Sequence, residues 1–135
     1  MTSRPMRLTD LPAEVNQTSG AILDSAIEVH NELGTGLLEI VYKRALSHEL
    51  ILRGHAVALD RHLPVHYKGV AIHDGYYPDI IVDGRVIVET KAVRGFEPAH
   101  EAQLLNYMRL SGIRVGWLIN FHASRIREGY MRRVL

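Results

Sequence analysis

Hydrophobic periodicity changes twice along these 135 residues, from helical to alternating and back, which restricts the fold to a mixed α/β or α+β arrangement. Ile22, Ala26, Val29 and Leu33 recur at helical spacing, with Thr18 able to cap the segment and Gly34 to end it. After Gly34 and Gly36 a second helix is expected over 38–53, with Leu38, Tyr42, Ala45 or Leu46, and Leu50 on one face and Gly54 as its stop. Period two then takes over. Val57 and Leu59, Leu63 and Val65, and Val70 and Ile72 mark strands turning at Lys68-Gly69 and Asp74-Gly75. Further strands are expected over 76–82 and 85–92, joined at Asp83-Gly84. Pro98 opens a third helix to about Ser111 and Gly112 stops it; 115–121 reads as a buried strand and 130–135 as an edge strand.

All the periodic segments fall within 18–135, which is long enough for one core and is expected to form a single domain. Residues 1–17, with Pro5 and Pro12, read as a loosely ordered lead-in. There is no Cys, so disulfide frameworks, thiolate zinc sites and cysteine nucleophiles are excluded. No run approaches the ~20 apolar residues of a membrane span, and the first fifteen residues lack the apolar core of a signal peptide. A cytoplasmic protein with no membrane partner is expected. Lys and Arg number 16 against 15 Asp and Glu, which excludes a protein that coats DNA by bulk charge. The balance is uneven: six basic and eight acidic residues precede Lys68, against ten and seven from Lys68 onward. Arg125, Arg127, Arg132 and Arg133 crowd the last eleven positions, either as a solvated strand and tail or as a phosphate-binding patch.

Candidate chemistry lies in the central hairpin, where Pro78-Asp79 is followed, after nine intervening residues, by Glu89-Thr90-Lys91. Residues two apart on a strand share a face, so Glu89 and Lys91 stand side by side. Asp79 joins them only if the connecting loop has the right parity. A two-residue Asp83-Gly84 turn pairs Asp79 with Val88, on the wrong face. A three-residue loop of Val82, Asp83 and Gly84, with Gly84 left-handed, pairs Asp79 with Ile87 and brings the three together. An odd loop, or a bulge near Pro78, is therefore expected. Two carboxylates and the Thr90 carbonyl suit a hard cation such as Mg²⁺ or Mn²⁺ and leave positions for water and phosphate, while Lys91 can orient water or offset charge on a phosphorane. The same hairpin also fits an ordinary edge element with Glu89 and Lys91 solvated or paired.

Two helices add candidates. Gln103 and Tyr107, four apart, share a face where an amide and a phenol can bond phosphate or water. Glu39 and Tyr42, three apart, share another. Each also has a structural role open to it: Gln103 as surface, the tyrosines as core aromatics, Glu39 as a favourable charge at a helix N-terminus. Other patterns fail. Gly34-x-Gly36 follows a helix and lacks a third glycine, His100-Glu101-x-x-Leu104 lacks a second His, and His62 and His66 lie about 13 Å apart on a strand, too far to share a metal.

In order along the chain, Gly34-x-Gly36-x-x-Glu39-x-x-Tyr42, Pro78-Asp79, Glu89-x-Lys91, Gln103-x-x-x-Tyr107 and Gly116-Trp117-Leu118-Ile119-Asn120-Phe121 resemble the GxxExxY proteins of the PD-(D/E)XK nuclease-like superfamily. The resemblance implies a restriction-endonuclease-like core, a central mixed sheet flanked by helices. It implies Asp79 and Glu89 as metal ligands, Lys91 as the catalytic lysine, and Glu39 as the acidic residue that the first core helix brings to the metal. Gln103 and Tyr107 resemble the Q-x-x-x-Y helix of the RecB-like and lambda-exonuclease-like branches.

The leading expectation is a Mg²⁺- or Mn²⁺-dependent nuclease acting on DNA. Asp79, Glu89, Lys91, Gln103 and Tyr107 would form its catalytic set; Asp79, Glu89, Thr90 and Glu39 its metal set; and Gln103, Tyr107, Arg125, Arg127, Arg132 and Arg133 its phosphate contacts. A cation neutralising Glu39, Asp79 and Glu89 would leave the other charges at +4, so the even composition does not exclude a nucleic-acid substrate. The alternatives are a non-catalytic domain that self-assembles or binds a partner through Tyr76 and Tyr77, giving a homo-oligomer, and a protein that binds nucleic acid without cutting it.

Overall fold

The computed structural model describes residues 11–135; residues 1–10, which make up most of the expected lead-in, lie outside the described residues. In order, the chain forms α1 (Ala13–Leu33), α2 (Glu39–Leu52), β1 (Val57–Leu59), β2 (Leu63–Tyr67), β3 (Val70–Tyr76), β4 (Ile80–Val82), β5 (Val86–Lys91), α3 (Pro98–Ser111), β6 (Val115–Asn120), a 3₁₀ turn (Ile126–Glu128) and β7 (Tyr130–Val134). A five-stranded sheet runs β1-β4-β5-β6-β7, and β2 and β3 form a separate hairpin. Only β5 and β6 are parallel, joined through α3; the other neighbours in the large sheet are antiparallel. This is the mixed sheet flanked by helices that the resemblance implies.

The two faces of the sheet carry separate cores. Val82, Val86, Val88 and Trp117 pack with Ile22, Ala26, Tyr42, Leu46 and Leu50 of α1 and α2. On the other face Ile81, Ile87 and Leu118 pack with Leu104, Tyr107 and Met108 of α3, and Leu63 brings the small hairpin onto this layer. Every residue of β6 is buried, as expected for a strand covered on both sides. Gly116 lets α3 lie close: a Cβ there would fall 2.7 Å from Met108 Sδ and 2.8 Å from Leu104 Cδ1.

Several boundaries differ from expectation for identifiable reasons. α1 starts at Ala13, because Pro12 holds an extended backbone and its carbonyl accepts the N–H groups of Val15 and Asn16. Thr18 is therefore mid-helix and buried, with its hydroxyl bonded to Asp83 instead of to a helix end. Leu38 is 72 % exposed and takes no part in the α2 core face, which is Tyr42, Leu46 and Leu50. Asp74-Gly75 is not a turn; β3 continues through it to Tyr76. The strand expected over 76–82 is interrupted at Tyr77-Pro78-Asp79, since Pro78 has no N–H for a ladder and that of Asp79 is directed elsewhere. By contrast α3 runs from Pro98 to Ser111 and ends on left-handed Gly112, as expected.

The β4–β5 loop is odd, as parity requires, but it is Asp83-Gly84-Arg85, between paired Val82 and Val86. Asp83 and Gly84 both adopt positive φ, and Arg85 N–H returns to the Val82 carbonyl. Ile87 thus pairs with Ile81, and one step beyond the ladder Asp79 lies level with Glu89 instead of Ile87. Asp83 holds this turn to the helices: its carboxylate accepts Thr18 Oγ1 at 2.8 Å, His55 Nδ1 at 2.7 Å and the Ala56 N–H at 2.9 Å.

Burial pushes the Asp83 carboxyl up, but the bonds from His55, Thr18 and Ala56 outweigh it and hold the group below the usual 3.8. A lowered native pKa stabilises the fold above the unfolded value, and that stability disappears as pH falls through the native value. Asp83→Asn, which keeps a residue tolerant of positive φ, should cost about 2 kcal/mol at pH 7 in urea denaturation. The gap from wild type should close below pH 3.8.

Candidate active site

Asp79 and Glu89 meet where the β3–β4 connection passes β5. Asp79 N–H donates to Glu89 Oε1 at 2.8 Å, and Asp79 Oδ2 accepts both the Thr90 N–H at 2.9 Å and the Thr90 hydroxyl at 3.1 Å. The two acids are thus fastened reciprocally across the strands. Glu89 is only 3 % exposed, and Thr90 is fully buried. Removal from water, and then the neighbouring Asp79 charge, raise the Glu89 carboxyl to about 8.

Lys91 ends β5, with its Nζ 3.8 Å from Oε1 of Glu39, the first residue of α2. Tyr42 holds that helix start in place. Its hydroxyl donates to the Gly34 carbonyl at 2.7 Å and accepts the Leu37 N–H at 3.2 Å, and its ring stacks on Phe121 at 4.7 Å. Phe121 N–H in turn donates to the Lys91 carbonyl at 2.8 Å. The glycine turn, the tyrosine and the lysine strand therefore form one connected assembly, a physical reason for Gly34 and Tyr42 to stand eight residues apart. Buried Asn120 steadies the segment after Lys91 by bonding both the N–H and the carbonyl of Val93.

On the α3 face, Tyr107 is buried, and its ring lies 6.0 Å from that of Tyr76. Burial first, then the charges of Glu89 and Asp79, push its hydroxyl up to about 12, so it remains a proton donor at neutral pH. Gln103 is half-buried one turn earlier on the same helix.

Five expected residues are thus gathered around β5: Asp79, Glu89, Thr90, Lys91 and Tyr107. Glu39 comes in beside Lys91, and its 42 % exposure leaves it at the rim. Among the described residues no three Asp, Glu or His side chains converge as a metal cluster. The arginines do not form one patch. Arg132 lies 5.1 Å over the Trp117 ring, while its neighbour Arg133 bonds Glu101 at 2.6 Å, as adjacent residues on opposite faces of β7 must diverge. Arg125 and Arg127 instead line a cleft of about 270 Å³ with His30 and Asn31. That loop leaves β6 after Asn120, which pairs with Lys91, so it belongs to the same end of the sheet as the acids.

One further charged residue enters the site without any sequence motif to mark it. Lys43, one helical turn after Glu39, places Nζ 2.6 Å from Asp60 Oδ1 and 3.7 Å from Asp79 Oδ1. The i, i+4 spacing from Glu39 was the available signal.

The family model of the PD-(D/E)XK nuclease superfamily matches residues 16–134. The chain belongs to this superfamily. No curated protein and no solved structure matches it. PD-(D/E)XK nucleases generally depend on a divalent metal, and the donor set here fits a hard one: two carboxylates on adjacent strands, one of them kept protonated by its burial and by the charge of the other. Asp79 and Glu89 would hold the cation, with water, substrate and the Thr90 carbonyl filling other positions.

For the metal-free protein the raised Glu89 value has a definite sign. The native state keeps a proton that the unfolded state has released, so stability falls as pH rises from about 4.5 to about 8. Urea denaturation at pH 5 and pH 8 should show this loss. Glu89→Gln, which cannot ionise, should flatten it and leave the variant the more stable protein at pH 8.

Proposed function

We propose that the protein is a GxxExxY-type nuclease that hydrolyses phosphodiester bonds in DNA with Mg²⁺ or Mn²⁺, in the cytoplasm. The observation that carries this reading is the Asp79–Glu89 pair, with Glu89 buried and Lys91 next to it on the same strand. Bound between the carboxylates, the cation would supply Lewis-acid chemistry to the phosphate. Lys91, oriented by Glu39, would position the attacking water and offset negative charge as it grows on the phosphorus oxygens. Tyr107 and Gln103 would donate hydrogen bonds to the phosphate from α3. Arg125 and Arg127 would hold a flanking phosphate, whereas Arg132 and Arg133, already engaged by Trp117 and Glu101, would contribute less.

A cleft of about 510 Å³ between the small hairpin and α3, bordered by His73, Tyr76, Asn106 and Arg109, supports a substrate path that reaches the site past Tyr76 and Tyr107. No helix among the described residues is long and apolar enough to cross a membrane. A second reading, a non-catalytic homo-oligomer, is favoured by the β2–β3 hairpin, which exposes Tyr67, Val70, Ile72 and Tyr76, with Tyr77 just beyond.

Incubation of purified protein with single- and double-stranded DNA and Mg²⁺ or Mn²⁺ should give cleavage that a chelator abolishes. Glu89→Gln and Lys91→Ala should lower the rate at least ~100-fold, and Tyr107→Phe about tenfold. A wild type that binds no Mn²⁺ and cuts no nucleic acid, yet loses self-association when Tyr76 and Tyr77 are replaced, would establish the second reading instead.

A further inference from the structure

Lys43 is a cation inside the site whose place the nuclease reading leaves unexplained. Its side chain is only 11 % exposed, and a lysine so enclosed requires anionic partners. It has two, and they are unequal. Asp60, 56 % exposed and held at positive φ between β1 and β2, takes the short contact of 2.6 Å; Asp79 is the farther partner at 3.7 Å. Asp79 is itself divided, because Oδ2 is committed to the two Thr90 donors and Oδ1 is the oxygen next to Lys43. That oxygen is the one left for a metal ion, and two positive charges cannot both be held closely against it.

We propose that Lys43 is a positioning residue that stands in for the divalent cation at Asp79 Oδ1 in the metal-free protein and withdraws onto Asp60 when the cation binds. Asp60 then acts as the alternative seat that makes the exchange easy, and the Lys43–Asp60 pair sets how tightly the cation is held. The shift required is small, since Nζ already lies nearer Asp60 than Asp79. The inference rests on the metal-dependent reading of the site.

Mn²⁺ titration at pH 8, followed by electron paramagnetic resonance or calorimetry on the full chain, tests it through a readout independent of cleavage. Lys43→Met should bind Mn²⁺ on the order of tenfold more tightly than wild type, because the competing charge is gone. Lys43→Arg, which keeps the charge, should stay near wild type. Asp60→Asn should bind several-fold more weakly, because Lys43 is then left with Asp79 alone; Asn tolerates the positive φ, so this variant carries the test even if Lys43→Met fails to fold. A folded Lys43→Met that binds no more tightly, or an Asp60→Asn of unchanged affinity, overturns the exchange and leaves the nuclease reading standing. A wild type that binds no Mn²⁺ overturns both.

Discussion

Glu89 occupies a position where a carboxylate is strongly disfavoured: it is almost wholly buried, in the middle of a sheet, with another acid beside it. Hydrophobic packing would be better served by an apolar residue there, so the acid imposes a demand that its surroundings must meet. They meet it only in part. One oxygen takes the Asp79 N–H, and Lys91 lies two residues along the strand, yet burial still prevails and the proton stays on to about pH 8. The retained proton marks a local shortage of positive charge beside Asp79, which the cation of the proposed nuclease would make up.

The surrounding elements can be understood from that shortage. α2 directs two residues of one face, Glu39 and Lys43, toward the two lysine-and-acid contacts, Glu39 to Lys91 and Lys43 to Asp79. Its start is fixed by the Tyr42 hydroxyl, and Tyr42 is fixed by Phe121, so the helix cannot shift along its axis without disturbing the end of β6. Glu39, Asp60, Asp79 and Glu89 are set against Lys43 and Lys91, so with every carboxylate ionised the cluster is two charges short of neutrality. A divalent ion would make up that difference, a local imbalance that a count of 16 basic and 15 acidic residues over the whole chain conceals.

What could be read from the sequence was whatever depends on neighbours in the chain. Pro98 and Gly112 bound α3 because they act on their own backbone angles, and the parity of the hairpin loop follows from the two-residue period of a strand. The loop lies one residue later than expected because Asp83 takes the left-handed conformation together with Gly84, held by hydrogen bonds to Thr18 and His55, which are 65 and 28 residues away. Long-range contacts of this kind leave no local signal. For the same reason only its i, i+4 spacing from Glu39 marks Lys43 in the sequence, its partners lying 17 and 36 positions distant. Proximity in sequence also misled: Arg132 and Arg133 are adjacent, and on a strand adjacency sends side chains to opposite faces.

Pro78 connects these points. A strand continuing from β3 through residues 77–79 would direct the Asp79 N–H into ladder pairing, where it could not reach a side chain. With no N–H of its own, Pro78 breaks the ladder, and β4 resumes only at Ile80. The freed Asp79 N–H then turns to Glu89 Oε1, while the Asp79 carboxylate takes the N–H that Thr90 would otherwise offer to a neighbouring strand. Backbone pairing has been exchanged for pairing between backbone and acid at the one level where two carboxylates must be held together. The interruption is therefore what makes the site: the same residues on an unbroken strand would still alternate correctly, but Asp79 and Glu89 would have no bonds to lock them to each other.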